Sequence, residues 1–161
     1  MKNLTIKKIT YLSLIIFIIS LLNNALLYSD DKGIIYNTSS WMCLSFGWMS
    51  IFAGGILETI VWSANIFYLI SVLITLISKN QKEQLVTILS TISLFLSLSY
   101  IFQSIHYEGD NGKFLIVKRD IGYWLWILSI AIVSFVNIFN YYTTTIRYKK
   151  PPFLKNKPRE N

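Results

Sequence analysis

The sequence has 161 residues, of which 53% are hydrophobic, and its mean hydropathy is +0.49. A soluble domain of this length has too little interior for so many apolar side chains, so the composition indicates a membrane protein. The net charge of +7 does not indicate nucleic-acid binding, because the basic residues lie next to apolar runs and in a short tail. The abundance of Ile, Lys and Asn is typical of an AT-rich bacterial gene.

The first apolar run covers residues 9–27 and follows three lysines. A basic start before an apolar run is also typical of a secretory signal. However, Asn23, Asn24 and the leucines after them provide no small-residue cleavage site. We therefore expect this run to be an uncleaved membrane span.

The second apolar region extends from residue 41 to residue 78 and has Glu58 as its only charge. It is longer than the ~20 residues that a single span requires. Gly54 and Gly55 are a natural break in a helix, so we predict a span at residues 56–77. The preceding residues, 41–52, are rich in aromatic side chains and are predicted to form an interfacial or re-entrant segment.

Two further spans are predicted at residues 85–102 and 121–142. In the third span, hydroxyl residues at positions 87, 90, 93 and 97 recur at helical spacing, which favours a packing seam between helices. The basic tail at residues 151–161 is expected to be disordered. Together these segments predict an all-α membrane protein with four transmembrane helices in a bundle, formed by residues 1–150.

The distribution of basic residues predicts the orientation of this bundle. If both termini are cytoplasmic, eleven of the 15 Lys and Arg residues lie inside, and four lie outside. These four are Lys32, Lys113, Lys118 and Arg119. The positive-inside rule therefore predicts cytoplasmic termini in the cell membrane, with anionic lipid as a partner at the inner face.

Tryptophans are concentrated on the predicted outer side of the membrane. Four of the five form a predicted outer aromatic cluster, namely Trp41, Trp48, Trp124 and Trp126. One interpretation is an interfacial belt that anchors the protein in the lipid headgroups. The other is an outward-facing pocket or partner surface, since the inner face has tyrosines only.

Glu58, Trp62 and Asn65 are candidate binding residues because their spacing of four and three places them on one helical face. A carboxylate or amide that faces lipid is costly, so we expect this face to point into the bundle. Glu58 also has a structural interpretation, because headgroup water and the helix dipole stabilise an acid in a first turn. For Asn65 the structural alternative is a hydrogen bond between helices.

Gln103 and His106 lie three residues apart at the outer end of the third span and are further candidate binding residues. One imidazole with scattered carboxylates lacks the paired spacing of a zinc site, so we predict no metal and no cofactor. Cys43 is the only cysteine, which excludes an intramolecular disulfide or a Cys-x-x-Cys redox pair. No catalytic motif is present.

These observations favour a non-enzymatic binding or accessory protein, either an immunity-type protein or a subunit of a complex. Its partner would be another membrane protein or a second copy of the chain. A small transporter or channel is the alternative, because Glu58 and Asn65 share a face within a span. An enzyme that acts on lipid or a cell-wall precursor is the third interpretation.

Overall fold

The structure is a computed structural model that describes residues 2–30, 32–77, 83–107 and 113–149. Its α-helices are α1 (Lys2–Leu21), α2 (Ser40–Phe46), α3 (Ile56–Trp62), α4 (Ala64–Ile77), α5 (Glu83–Ser99) and α6 (Ile121–Lys149). Two 3₁₀ segments follow α2 and α5, at Gly47–Ala53 and Tyr100–Phe102. The strands are β1 (Asn24–Ser29), β2 (Ile35–Ser39), β3 (Ile105–Tyr107) and β4 (Lys113–Arg119).

Four helical segments of the described chain are long and apolar enough to cross a membrane, which confirms this part of the prediction. They are Leu4–Leu21, Ile56–Ile77, Glu83–Phe102 and Ile121–Thr145. The second consists of α3 and α4, separated only by Ser63. The predicted tail at residues 151–161 lies outside the described residues.

The helices pack through small hydroxyl side chains, as the spacing in the third span suggests. Ser90, Ser93 and Ser97 of α5 are at most 1% exposed. The Ser93 hydroxyl donates to the carbonyl of Ala64 at 2.8 Å, and Ser134 of α6 donates to the carbonyl of Ser90 at 2.6 Å. Small side chains allow such close approach, and hydrogen bonds between helices stabilise it where lipid supplies no hydrophobic driving force.

An antiparallel four-stranded sheet with the order β2-β1-β4-β3 joins the two longer connections between helices. The all-α prediction therefore needs a correction. The predicted first span also included residues 24–27, which lie in β1. The physical reason is that β1 pairs with β4, Leu26 lying opposite Arg119, and a contact so distant along the chain leaves no local periodicity to detect.

The sheet side that faces the helices is buried, and the other side is open. Leu26, Tyr28 and Phe114 are at most 8% exposed, whereas Leu115 and Val117 are 60% and 57% exposed. This alternation follows from the two-residue period of a strand. The sheet therefore covers one end of the helices, which we call the sheet end.

The opposite end, which we call the terminal end, holds the beginning of α1 and the end of α6. There Lys7 of α1 donates from Nζ to the carbonyl of Leu76 at 2.7 Å. Glu83 of α5 accepts from Asn140 Nδ2 at 3.1 Å and from Thr144 Oγ1 at 3.3 Å. A cation at the carboxyl end of α4 and an acid at the start of α5 both match the helix dipoles.

The predicted interfacial or re-entrant segment forms α2 and the 3₁₀ segment Gly47–Ala53. These 14 residues make an apolar helical stretch shorter than a span. Several of its aromatic side chains are exposed: Trp41 is 52%, Phe46 54% and Phe52 79% exposed. The segment ends at Gly54, whose φ of 89° lies in the left-handed region that suits glycine.

Candidate functional site

A cavity of about 110 Å³ lies at the sheet end, between the helices and the α2 segment. Its wall includes Ser20 at the end of α1, Cys43 of α2, Glu58 of α3, Asn65 of α4 and Tyr123 of α6. Five separate elements thus converge on one space. We call it the Glu58 cavity, after the only acidic residue among the described residues that line it.

Glu58 lies in the first turn of α3 and is only 6% exposed. Gly54 ends the preceding 3₁₀ segment, and Gly55 is the residue that directly precedes α3. As expected from its spacing, Glu58 faces the interior rather than the surface. A carboxyl group that is largely withdrawn from water is costly unless it is hydrogen-bonded or bound by a cation.

Trp62 and Asn65, predicted on the face of Glu58, also line the cavity. The Trp62 indole donates from Nε1 to the carbonyl of Leu44 at 2.7 Å, which fixes the ring against α2. A Cβ at Gly47 would stand 2.7 Å from Cδ1 of Trp62, so only glycine leaves room for this ring. These three residues are brought together as the helical spacing indicates.

Aromatic rings from α6 and from the end of α5 complete the wall. The centroids of Tyr100 and Tyr123 are 5.9 Å apart, and those of Tyr123 and Trp126 are 5.7 Å apart. Trp126 donates from Nε1 to Oδ1 of Asn65 at 2.8 Å. Tyr100 and Tyr123 were not predicted to be site residues, although Tyr123 lies three residues before Trp126 and therefore shares its helical face.

The predicted outer aromatic cluster divides into two groups in the structure. Trp126 lines the Glu58 cavity and is half-buried. Trp41, Trp48 and Trp124 are 52%, 43% and 50% exposed, respectively. Trp124 and Trp126 are two positions apart, about 200° around the helix, so the two rings point to different sides.

Gln103 and His106 are not among the described residues that line the cavity. Gln103 follows the 3₁₀ segment at the end of α5, and His106 lies in β3 with Phe114 of β4 opposite it. No group of three or more His, Cys, Asp and Glu residues suited to a metal ion occurs in the described part of the chain.

Arg119 at the end of β4 has a role that the charge count did not reveal. Its Nη2 donates to the carbonyls of Tyr100 and Gln103. Its guanidinium carbon lies 5.7 Å from the ring centroid of Tyr100 and 5.9 Å from that of Tyr123. A cation at the carboxyl end of a helix satisfies its last carbonyls and matches the helix dipole. Arg119 therefore links β4 of the sheet to the carboxyl end of α5.

A smaller cavity of about 10 Å³ lies at the terminal end and is lined by Glu83, Asn137 and Asn140. Between the two cavities the core is closed, with Tyr68, Ile130 and Val133 at most 1% exposed. Comparison of the chain with protein-family models, with curated proteins and with solved structures gave no match.

Proposed function

We propose that this chain is a non-enzymatic protein of the cell membrane that binds a small ligand in the Glu58 cavity. The observation that carries the proposal is a buried carboxyl group in a cavity walled by hydrogen-bonded aromatic rings. Ligand sites are typically concave and mainly apolar, with a few polar groups that orient the ligand. The Glu58 cavity has this composition, since Glu58, Asn65 and serine hydroxyls interrupt an otherwise apolar wall.

Insertion into a membrane is supported by the outer surface of the four long helices. Many of their large apolar side chains are open, including Ile15, Leu73, Phe95, Phe135 and Phe139 at 54–74% exposure. Water would make such a surface prone to aggregation, whereas lipid solvates it. The sheet and α2 would then lie at one membrane face, where the exposed tryptophans reach the headgroups.

The charge distribution supports cytoplasmic termini, because the described residues at the terminal end include Lys2, Lys7, Lys8, Arg147 and Lys149. Cysteine labelling tests this orientation in a Cys43→Ser background. Lys32→Cys at the sheet end should react with an impermeant maleimide on intact cells. Lys8→Cys at the terminal end should react only after permeabilisation, and the reverse pattern would refute the orientation.

The closed core favours binding over transport. Tyr68, Ile130 and Val133 separate the Glu58 cavity from the terminal end, and a channel would need a continuous polar path. Catalysis is less favoured because the described wall holds one carboxyl group and no imidazole that could act as its acid-base partner.

An accessory subunit that contacts a partner through Trp41, Trp48 and Trp124 is the second candidate. It is supported by the exposure of the three rings, since tryptophan is frequent at the energetic centres of interfaces. Crosslinking in native membranes, followed by mass spectrometry, tests it. Recovery of one reproducible protein partner through these positions would favour this function over ligand binding.

The ligand proposal is tested by mass spectrometry of small molecules that copurify with the protein from native membranes. Ser50 lines the cavity and is 7% exposed, so Ser50→Leu should fill the space and deplete the bound molecule. Thr91→Leu, on an exposed position of α5, is the matched control. If the two variants and the wild type retain the same molecules equally, the cavity is not a binding site.

A further inference from the structure

The wall of the Glu58 cavity combines a buried carboxyl group with four aromatic rings. These belong to Trp62, Tyr100, Tyr123 and Trp126. Tryptophan and tyrosine rings attract cations through their quadrupoles, most strongly where water is excluded. A carboxylate among such rings is a chemical match for an organic cation.

Ser40 provides an independent indication that the cavity is built for a polar ligand. It lines the cavity, is only 7% exposed, and its Oγ makes no hydrogen bond within the described part of the chain. A buried hydroxyl without a partner is costly. A ligand N–H group that donates to Ser40 Oγ would remove this cost.

The indole N–H groups of the cavity are already engaged within the protein. Trp62 donates to Leu44 and Trp126 to Asn65. The two indole rings are therefore held before any ligand enters, and their N–H groups are already used within the protein. This arrangement favours a donor ligand over an acceptor such as a phosphate or a carboxylate.

The cavity's size limits the ligand to a small group. Its volume of about 110 Å³ is below the ~150 Å³ of an engineered cavity that holds benzene. A methylammonium or ethylammonium group fits such a volume, whereas a drug-sized cation does not.

From these features we propose that the Glu58 cavity binds the ammonium group of a small primary amine. This proposal rests on the proposed function as a binding protein and specifies its ligand class. The ammonium group would interact with the Glu58 carboxylate, donate to Ser40 Oγ and contact the rings of Trp62 and Trp126. The rings of Tyr100 and Tyr123 already lie 5.7 and 5.9 Å from the Arg119 guanidinium carbon. Its source is either a free amine or the headgroup of an amine-bearing lipid, since both present the same group.

Cys43 makes the cavity accessible to a direct chemical test, because it lines the cavity and is the only cysteine of the chain. The full-length protein in detergent micelles is treated with 2-aminoethyl or 2-sulfonatoethyl methanethiosulfonate, which carry opposite charges. The rate at which each reagent modifies Cys43 is divided by the rate at which the same reagent modifies free β-mercaptoethanol. This normalisation removes the intrinsic difference between the two reagents.

We expect the normalised rate of the cationic reagent to exceed that of the anionic reagent. Glu58→Gln should reduce the ratio of the cationic to the anionic rate by about tenfold or more, because a nearby negative charge is lost. Glu83→Gln at the terminal end is the matched control and should leave the ratio unchanged. An equal ratio in wild type and Glu58→Gln would overturn the ammonium proposal.

Ligand protection gives a second measurement that needs no variant. Ethylammonium chloride at neutral pH should slow the modification of Cys43, whereas ethanol at the same concentration should not. Equal protection by ethanol would overturn the ammonium proposal and leave ligand binding intact. If neither compound protects and Ser50→Leu retains the wild-type set of copurified molecules, the proposed function itself fails.

Protection of Cys43 from modification also identifies the source of the amine. Protection by free ethanolamine in detergent indicates a soluble ligand. Protection in nanodiscs of phosphatidylethanolamine, but not in nanodiscs of phosphatidylglycerol, indicates a lipid headgroup. Either result supports the proposal, and the absence of protection in both arms counts against it.

Discussion

The indole of Trp126 donates from Nε1 to the side-chain oxygen of Asn65 at 2.8 Å, and this bond joins α6 to α4 beside the Glu58 cavity. Asn65 in turn donates from Nδ2 to the carbonyl of Trp62 at 3.0 Å. Both polar groups are thereby satisfied within an apolar interior. The pair thus orients the Trp126 ring at the cavity wall.

Asn65→Ala should lower the free energy of unfolding by about 1–2 kcal/mol, because it leaves the indole N–H of Trp126 without its acceptor. Unfolding by SDS in mixed micelles measures this change. Trp126→Phe and the double variant complete a thermodynamic cycle with a coupling of about 0.6–1.7 kcal/mol. A coupling near zero would show that the bond does not contribute. Trp124→Phe, at a position that is 50% exposed, is the control and should have an effect within about 0.5 kcal/mol.

Arg119→Met should destabilise the protein by about 2 kcal/mol, because a charged donor to the carbonyls of Tyr100 and Gln103 is lost. The neighbouring Lys118 has a side chain that is 65% exposed and a long 3.5 Å contact with Asp120. Lys118→Met should therefore change stability by less than about 0.5 kcal/mol. Equal thermal shifts for the two variants would contradict the inward role of Arg119.

Gly122→Ala should be strongly destabilising because its Cβ would lie 2.2 Å from Ser40 Oγ and 2.6 Å from the carbonyl oxygen of Asn24. The backbone contact cannot be relieved by a rotamer change, so α6 and the sheet must separate, at a cost of about 1–3 kcal/mol. Gly33 has a φ of 78° but nothing within 4 Å of its Cβ position. Gly33→Ala tests backbone strain alone and should cost about 1–2 kcal/mol. A smaller loss of Tm for Gly122→Ala than for Gly33→Ala would argue against the close packing of α6 on the sheet.

Asp30 should make the β1–β2 connection sensitive to acid. Its Oδ1 accepts from the backbone N–H groups of Ile34 at 2.8 Å and Lys32 at 2.9 Å, and Tyr36 donates to Oδ2 at 3.3 Å. The bond from Ile34 is the first cause that lowers the pKa of Asp30 below its ordinary value of 3.8. The stabilisation is therefore present above pH 3.8 and is lost as the pH falls through the lower folded pKa.

Amide hydrogen exchange of Ile34 measures this effect between pH 3 and pH 6, once each rate is corrected for the pH dependence of intrinsic exchange. Protection should fall towards the acid end in the wild type. Asp30→Asn should remove the pH dependence, since its amide does not titrate in this range. Undiminished protection of Ile34 at pH 3 would contradict the assignment.

The parts of the candidate site that follow from local spacing were visible in the sequence. Glu58, Trp62 and Asn65 lie on one face because their separations match a helical turn, and they do line one cavity. Tyr100 and Tyr123 reach the same cavity from other helices, so their contribution depends on packing that no single segment encodes. The periodicity of α6 was an available signal, because it separates Trp124 from Trp126.

The sheet was not predicted, because its central pairing joins residues far apart along the chain. Each connection alone forms only two strands, which are marginal in isolation. The four long apolar helices, by contrast, were predicted because each satisfies its own backbone hydrogen bonds within a single segment.

The pairing of β1 with β4 also determines when the sheet can form during synthesis of the chain. The chain emerges from its N-terminus, so the β1–β2 hairpin is available long before Lys113–Arg119 is translated. Until then, β1 presents an unpaired edge of the kind that recruits other strands. The sheet can therefore close only after β4 is translated, and α6 follows it. A ribosome-bound chain that stops before β4 should be a preferred substrate of quality-control proteases.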